Sequence, residues 1–149
     1  MGSPRAGGVL RDRVAAAASR TVSDVRIAAL DHLVLTVSDP EATVAFYERL
    51  GMRREEFGEG RIALCFGDQK INLHRAGQPI QPHAIRPTPG SADICLLVEG
   101  SLDEVERELE RAGVVFELGP VPRTGAVGAI RSLYLRDPDG NLVELSERI

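Results

Sequence analysis

Every second residue from His32 to Val37 is a large aliphatic one, Leu33, Leu35 and Val37, and the same spacing returns as Ile94, Leu96 and Val98 in the stretch that begins at Asp93. A period of two is the signature of a strand with one face buried, so both stretches read as strands. A helical pattern follows each. Asp39 is placed to cap the first helix and Pro40 sits at its first position, where a missing N–H costs nothing. The second opens on Ser101-x-x-Glu104, a capping-box spacing, and carries Leu102, Val105, Leu109 and Ala112 as one apolar stripe. Both stop alike, at Glu48-Arg49-Leu50-Gly51 and Glu110-Arg111-Ala112-Gly113, with glycine free to take the left-handed conformation that ends a helix.

Three strand-like runs follow each helix: Met52–Phe57, Arg61–Phe66 and Lys70–His74, then Val114–Leu118, Ile130–Leu135 and Leu142–Ser146. The chain is therefore a repeat, two βαβββ modules over 29–77 and 91–149 joined by a proline-rich linker, 78–90. The fold class expected is α+β, with the two modules pairing into an open, cup-shaped mixed sheet. Only the second module holds the run Gly119–Gly128, rich in glycine and proline, which reads as an inserted loop that no strand could absorb. Residues 1–28 differ in character, with Arg5, Arg11, Arg13 and Arg20 among alanines. They read as a mobile N-terminal extension. Asp12 and Asp24 argue against an organellar transit peptide, and a continuous apolar secretory core is lacking.

Composition narrows the function. With 18 basic and 22 acidic residues the net charge is −4, so no general positive field is present to draw nucleic acid. No apolar run approaches the roughly 18 residues of a membrane span. The two cysteines, Cys65 and Cys95, lie in apolar runs and are expected to be reduced core thiols in a cytoplasmic protein.

A four-stranded sheet with one helix on its back leaves its other face uncovered, and two modules supply each other with cover. On the first strand the helix side takes Leu33, Leu35 and Val37, which leaves His32, Val34 and Thr36 on the open side. The repeat makes Asp93 the equivalent of His32 and Asn72 the equivalent of Glu144. Glu144 lies in an apolar strand, Leu142-Val143-Glu144-Leu145, where an unpaired carboxylate is costly. His32 is either a hydrogen-bonded core residue or, with Glu144 as its partner, a metal ligand. Asp93 is either a further ligand or a turn-capping carboxylate, and His74 either a ligand or a strand-end surface residue. Arg123 and Thr124, on the inserted loop, suit a lid that grips an anionic or oxygen-rich substrate; a solvated loop is the plainer alternative. The alternation leaves the face of Tyr134 undecided.

Asp31-His32-Leu33-Val34-Leu35, Phe46-Tyr47-x-x-Leu50-Gly51 and Asp137-Pro-Asp-Gly-x-x-x-Glu144-Leu, spread over residues 29–149, resemble the modules of the vicinal oxygen chelate superfamily. That superfamily includes glyoxalase I, fosfomycin resistance proteins and extradiol dioxygenases. The string Phe66-Gly-Asp-Gln-Lys-Ile-Asn-Leu-His74 is similar to one in the glyoxalase domain-containing protein five-like proteins. The resemblance implies a homodimer and a divalent metal ion (Zn, Ni, Mn, Co or Fe) held by His32 and Glu144. Two further positions depart from the family pattern: Asp93 replaces a histidine and Asn72 a carboxylate, so one or both of Asp93 and His74 would complete the set.

The activity implied is that of a glyoxalase-like lyase or isomerase on a small substrate chelated through adjacent oxygens, with Glu144 moving a proton and Arg123, Thr124, Tyr134 and Asn72 binding the substrate. Two alternatives stand beside it. One is an iron-dependent ring-cleaving dioxygenase using His32, His74 and Glu144, and the other is a metal-free drug-binding cup of the bleomycin-resistance kind.

Overall fold

The computed structural model describes residues 24–149. The proposed extension therefore lies mostly outside the described residues, and 24–31 form no strand or helix. Ten elements follow: β1 (His32–Val37), α1 (Pro40–Arg49), β2 (Arg53–Phe57), β3 (Arg61–Phe66), β4 (Gln69–Arg75), β5 (Asp93–Leu97), α2 (Leu102–Arg111), β6 (Leu118–Thr124), β7 (Ala129–Arg136) and β8 (Leu142–Arg148). They make two four-stranded sheets, β1-β4-β3-β2 and β5-β8-β7-β6, each with one parallel and two antiparallel pairings. This is the α+β, twice-repeated βαβββ architecture expected.

Local chemistry sets the helix ends. The Asp39 carboxylate accepts from the N–H groups of Glu41 and Ala42, and Ser101 Oγ accepts from Asp103 N–H. The reciprocal bond of the capping box, from the Ser101 N–H to the Glu104 carboxylate, does not form, and the Leu102 N–H donates to the Glu147 carboxylate on β8. Gly51 and Gly113 follow the caps with φ of 90° and 76°.

The register repeats between modules. His32 lies opposite Lys70 and Val34 opposite Asn72; Asp93 lies opposite Leu142 and Cys95 opposite Glu144. His32 thus stands to Asn72 as Asp93 stands to Glu144, as the repeat requires. The helix-side residues of both sheets, among them Leu35, Val37, Leu64, Ile71, Leu133, Leu135, Val143 and Leu145, merge into one buried cluster. The two modules therefore share a core on their helix sides, and their other faces turn away from it.

Two expectations fail. The Gly119–Thr124 segment is not a loop: it belongs to β6, while Val114–Glu117 lies outside any strand. The reason is position. β6 is a sheet edge, where Pro120 and Pro122 have no inner ladder bond to forfeit, and a register shift between Leu118 and Val121 takes up the irregularity. Gly119 is obligatory there, since its φ is 115° and a Cβ would lie 2.4 Å from the Ser132 carbonyl oxygen. The cysteines are free thiols, yet neither is a core residue: Cys65 is half-buried and Cys95 exposed. Both take the alternate strand position that faces away from the core.

Candidate functional site

Sheet alternation puts the candidate residues on the two outward faces. The first sheet shows His32, Val34 and Thr36 on β1 with Lys70, Asn72 and His74 on β4. The second shows Asp93 and Cys95 on β5, Glu144 and Ser146 on β8, Tyr134 on β7 and Arg123 on β6. Within the chain the structure does not bring the two sets together. Among the described residues no group of three or more His, Cys, Asp or Glu side chains could hold a metal ion, and none of the four main cavities is lined by both His32 and Glu144.

His32 is exposed, and its Nδ1 lies 2.7 Å from the Asp31 carboxylate. That contact fixes the tautomer and leaves Nε2 unengaged, as in the carboxylate–histidine pairs that support metal ligands. On the second sheet Glu144 is half-buried between Cys95 and Tyr134, its neighbours across β5 and β7. Ser146 Oγ links the Cys95 thiol at 3.3 Å to the Ser132 hydroxyl at 2.7 Å. Burial, opposed by the Ser146 bond but reinforced by Glu144, raises the Cys95 thiol above its ordinary value, so it stays protonated near neutral pH.

Arg123 is not on a lid. It lies on β6 opposite Ile130, its Nε donates to the Tyr134 hydroxyl at 2.9 Å, and its guanidinium sits 5.4 Å from that ring's centroid. Burial raises the Tyr134 phenol; the Arg123 bond opposes this and Glu144 adds to it. Thr124 ends β6 and, with Cys95, Leu97, Gly125, Glu144 and Arg148, lines a cavity of about 350 Å³ on the second sheet. Only residues 125–128 remain as a turn.

His74 stands opposite Thr36, four residues along β1 from His32, so about 13 Å at 3.3 Å per residue separates them along the strand direction. Its Nδ1 accepts from the Ile80 N–H at 3.5 Å, which leaves the proton on a buried, unpartnered Nε2. Burial first, then the charges of Arg61 and His83, lowers its affinity for a second proton. Neighbouring Asn72 is equally buried, with Oδ1 unpartnered. The linker that covers His74 borders an open cavity of about 440 Å³, which sequence reasoning missed because it read 78–90 only as a connection.

The model of the Glyoxalase/Bleomycin resistance protein/Dioxygenase superfamily matches residues 29–145, and the chain belongs to that superfamily. It is 51% identical over 121 residues to virulence protein STM3117 of Salmonella typhimurium, a match covering 80% of this chain and 84% of that one. The crystal structure of that protein superposes with a TM-score of 0.82, covering 84% of this chain and all of that one. The glyoxalase domain-containing protein RDO1 of Mycosarcoma maydis is 49% identical over 127 residues, 85% of this chain and 72% of that one. Integron cassette protein VCH_CASS1 of V. cholerae shares 52% identity and a TM-score of 0.82, covering 84% of this chain and 98% of that one.

Proposed function

We propose that the protein is a divalent-metal-dependent lyase or isomerase of the glyoxalase type, active as a homodimer in which β1-β4-β3-β2 of one copy faces β5-β8-β7-β6 of the other. The supporting observation is that His32, and Asp93 with Glu144, occupy the two sheet faces that turn away from the shared core. Those faces also leave Val34, Leu97 and Leu118 between 44% and 51% exposed, an apolar surface that a facing sheet would cover. Two-fold pairing makes two equivalent cups.

The donor set suits the group. One imidazole with an unengaged Nε2 and two carboxylates are competent ligands for Zn, Ni, Mn, Co or Fe, so His32, Asp93 and Glu144 would hold the ion. Such an ion would supply Lewis-acid polarisation to the oxygens of a small substrate. The chain's own residues do the rest. Glu144 takes a proton from the substrate carbon beside those oxygens and returns it at the neighbouring atom. Tyr134, protonated at neutral pH, donates a hydrogen bond beside Glu144, and Arg123 steadies its hydroxyl. Thr124 and Asn72 border the substrate. His74, roofed by the linker, contributes to the wall.

Metal analysis tests this. Purified protein should carry about one equivalent per chain, the stoichiometry that one three-ligand site per cup requires. His32→Ala and Glu144→Ala should each lose it with the circular dichroism unchanged. Full metal retention in both variants would overturn the reading.

A further inference from the structure

On the outward face of the first sheet one phenyl ring holds two cations. Lys70 Nζ lies 3.9 Å from the centroid of the Phe57 ring, and the Arg61 guanidinium carbon lies 4.7 Å from it. The contact spans a strand. Phe57 is two residues along β2 from Glu55, one partner of Ala63, and Lys70 is two residues along β4 from Asn72, the other, so the pair meets across β3 above Ala63. Ala63 is accordingly 1% exposed although it faces away from the core. Phe57, Arg61 and Lys70 are themselves half-buried, so their positions are fixed by packing.

Charge on this face is uncompensated. Arg61 and Lys70 have no carboxylate partner among the described residues. Sharing one ring, they lie within about 9 Å of each other, close to one Debye length in physiological salt, and repel. Glu55, the acid on the same face, accepts from the Cys65 thiol and pairs with Arg53 at 3.7 Å. Across the proposed cup Asp93 and Glu144 are committed to the ion. Lys70 is, moreover, the residue directly opposite His32.

We infer that the substrate carries, besides its chelating oxygens, an oxyanion taken by Lys70 and Arg61, with Phe57 holding both cations in place for it. The inference rests on the cup proposed above and names the class of molecule it admits, a small anionic chelator rather than a neutral one. A shared counter-ion relieves the repulsion between the two cations, and the ring has already ordered them. The strands β4 and β3 lie between His32 and Phe57. The oxyanion therefore sits one to two strand spacings, about 5–10 Å, from His32, a span of roughly two to four carbons from the chelating oxygens.

Isothermal titration of the full chain, incubated with zinc, decides the matter with two hydroxamates. One is the half-hydroxamate of butanedioic acid, which offers two chelating oxygens and a carboxylate; the other is the same molecule with a carboxamide in place of the carboxylate. The acid should bind at least about ten-fold more tightly than the amide, the order expected for charge-assisted hydrogen bonds. Lys70→Met and Arg61→Met, which keep an apolar stem on the Phe57 ring, should each remove most of that ratio. Lys70→Arg keeps the charge and should retain it. The phosphonate analogue of the acid should exceed the amide as well, and the tighter of the two acids names the oxyanion. Equal affinity of acid and amide, a wild-type ratio in both methionine variants, or no binding of any of the three compounds would overturn the inference. A chain that holds metal but binds acid and amide equally leaves the glyoxalase reading standing and removes this one. A chain that holds no metal yet prefers the acid does the reverse.

Discussion

The Tyr47 hydroxyl, at the end of α1 in the first module, donates a buried 2.8 Å hydrogen bond to the Asp137 carboxylate in the turn before β8 of the second. Asp137 also accepts from the N–H groups of Asp139 and Asn141 and from the Asn141 side chain. Asp139 in turn accepts from Ser38 N–H, so one turn ties the modules together twice. Burial first, then Asp137, raises the Tyr47 phenol far above its ordinary value, and it remains a donor throughout the working pH range. Tyr47→Phe keeps the ring in the core and removes only the donor. It should lower unfolding stability by about 1.5–3 kcal/mol, the range for hydrogen bonds to charged groups, as read by urea denaturation; a change within 0.5 kcal/mol, about the scatter of surface substitutions, would show that the bond does not link the modules energetically.

Gly119 offers a test of the β6 edge. Its positive φ and the 2.4 Å approach to Ser132 O leave no place for a methyl group. Gly119→Ala should destabilise by at least about 2 kcal/mol through combined strain and displacement, whereas Gly128→Ala meets nothing within 4 Å and carries only the conformational part, its φ being 148°. Thermal unfolding of the two variants compares them directly. Equal melting temperatures would mean that β6 is not held in this register.

The proposed cup between two copies makes a prediction of its own. If His32 of one copy works with Asp93 and Glu144 of another, His32→Ala and Glu144→Ala homodimers should each lack metal, yet subunit exchange between them rebuilds one intact site in every mixed dimer. Random exchange in a two-fold dimer should restore metal to about a quarter of the sites. No recovery after demonstrated exchange would place the cup within one chain.

His74 links stability to pH. Its folded pKa lies below the ordinary value, so between the two the unfolded chain binds more protons and stability falls as pH falls, the loss beginning below about pH 6.5. Above that pH both states are neutral and no contribution remains. Urea denaturation from about pH 5 to pH 8, the span over which histidines titrate, should show a flatter profile for His74→Gln than for the wild type. Parallel profiles would remove His74 as the source.

The elements and their repetition were legible from local rules alone. A period of two marks β1 and β5, Asp39 and Ser101 cap their helices through their own side chains, and Gly51 and Gly113 stop them. The equivalence of His32 with Asp93, and of Asn72 with Glu144, follows from the same periodicity and is repeated in the ladder register. Tertiary structure decided what periodicity leaves open. Whether a run with two prolines can be a strand depends on whether it lies at an edge, which is how Leu118–Thr124 became β6 and moved Arg123 from a lid to Tyr134. Whether a strand cysteine is buried depends on which face the partner module covers, and Cys65 and Cys95 fell on the uncovered one. The linker's role over His74 likewise arises only when 78–90 folds back onto β1 and β4. Hydrophobic alternation says which side chains leave water, but not which distant surface receives them; that choice belongs to packing between residues far apart in the chain, such as Tyr47 and Asp137.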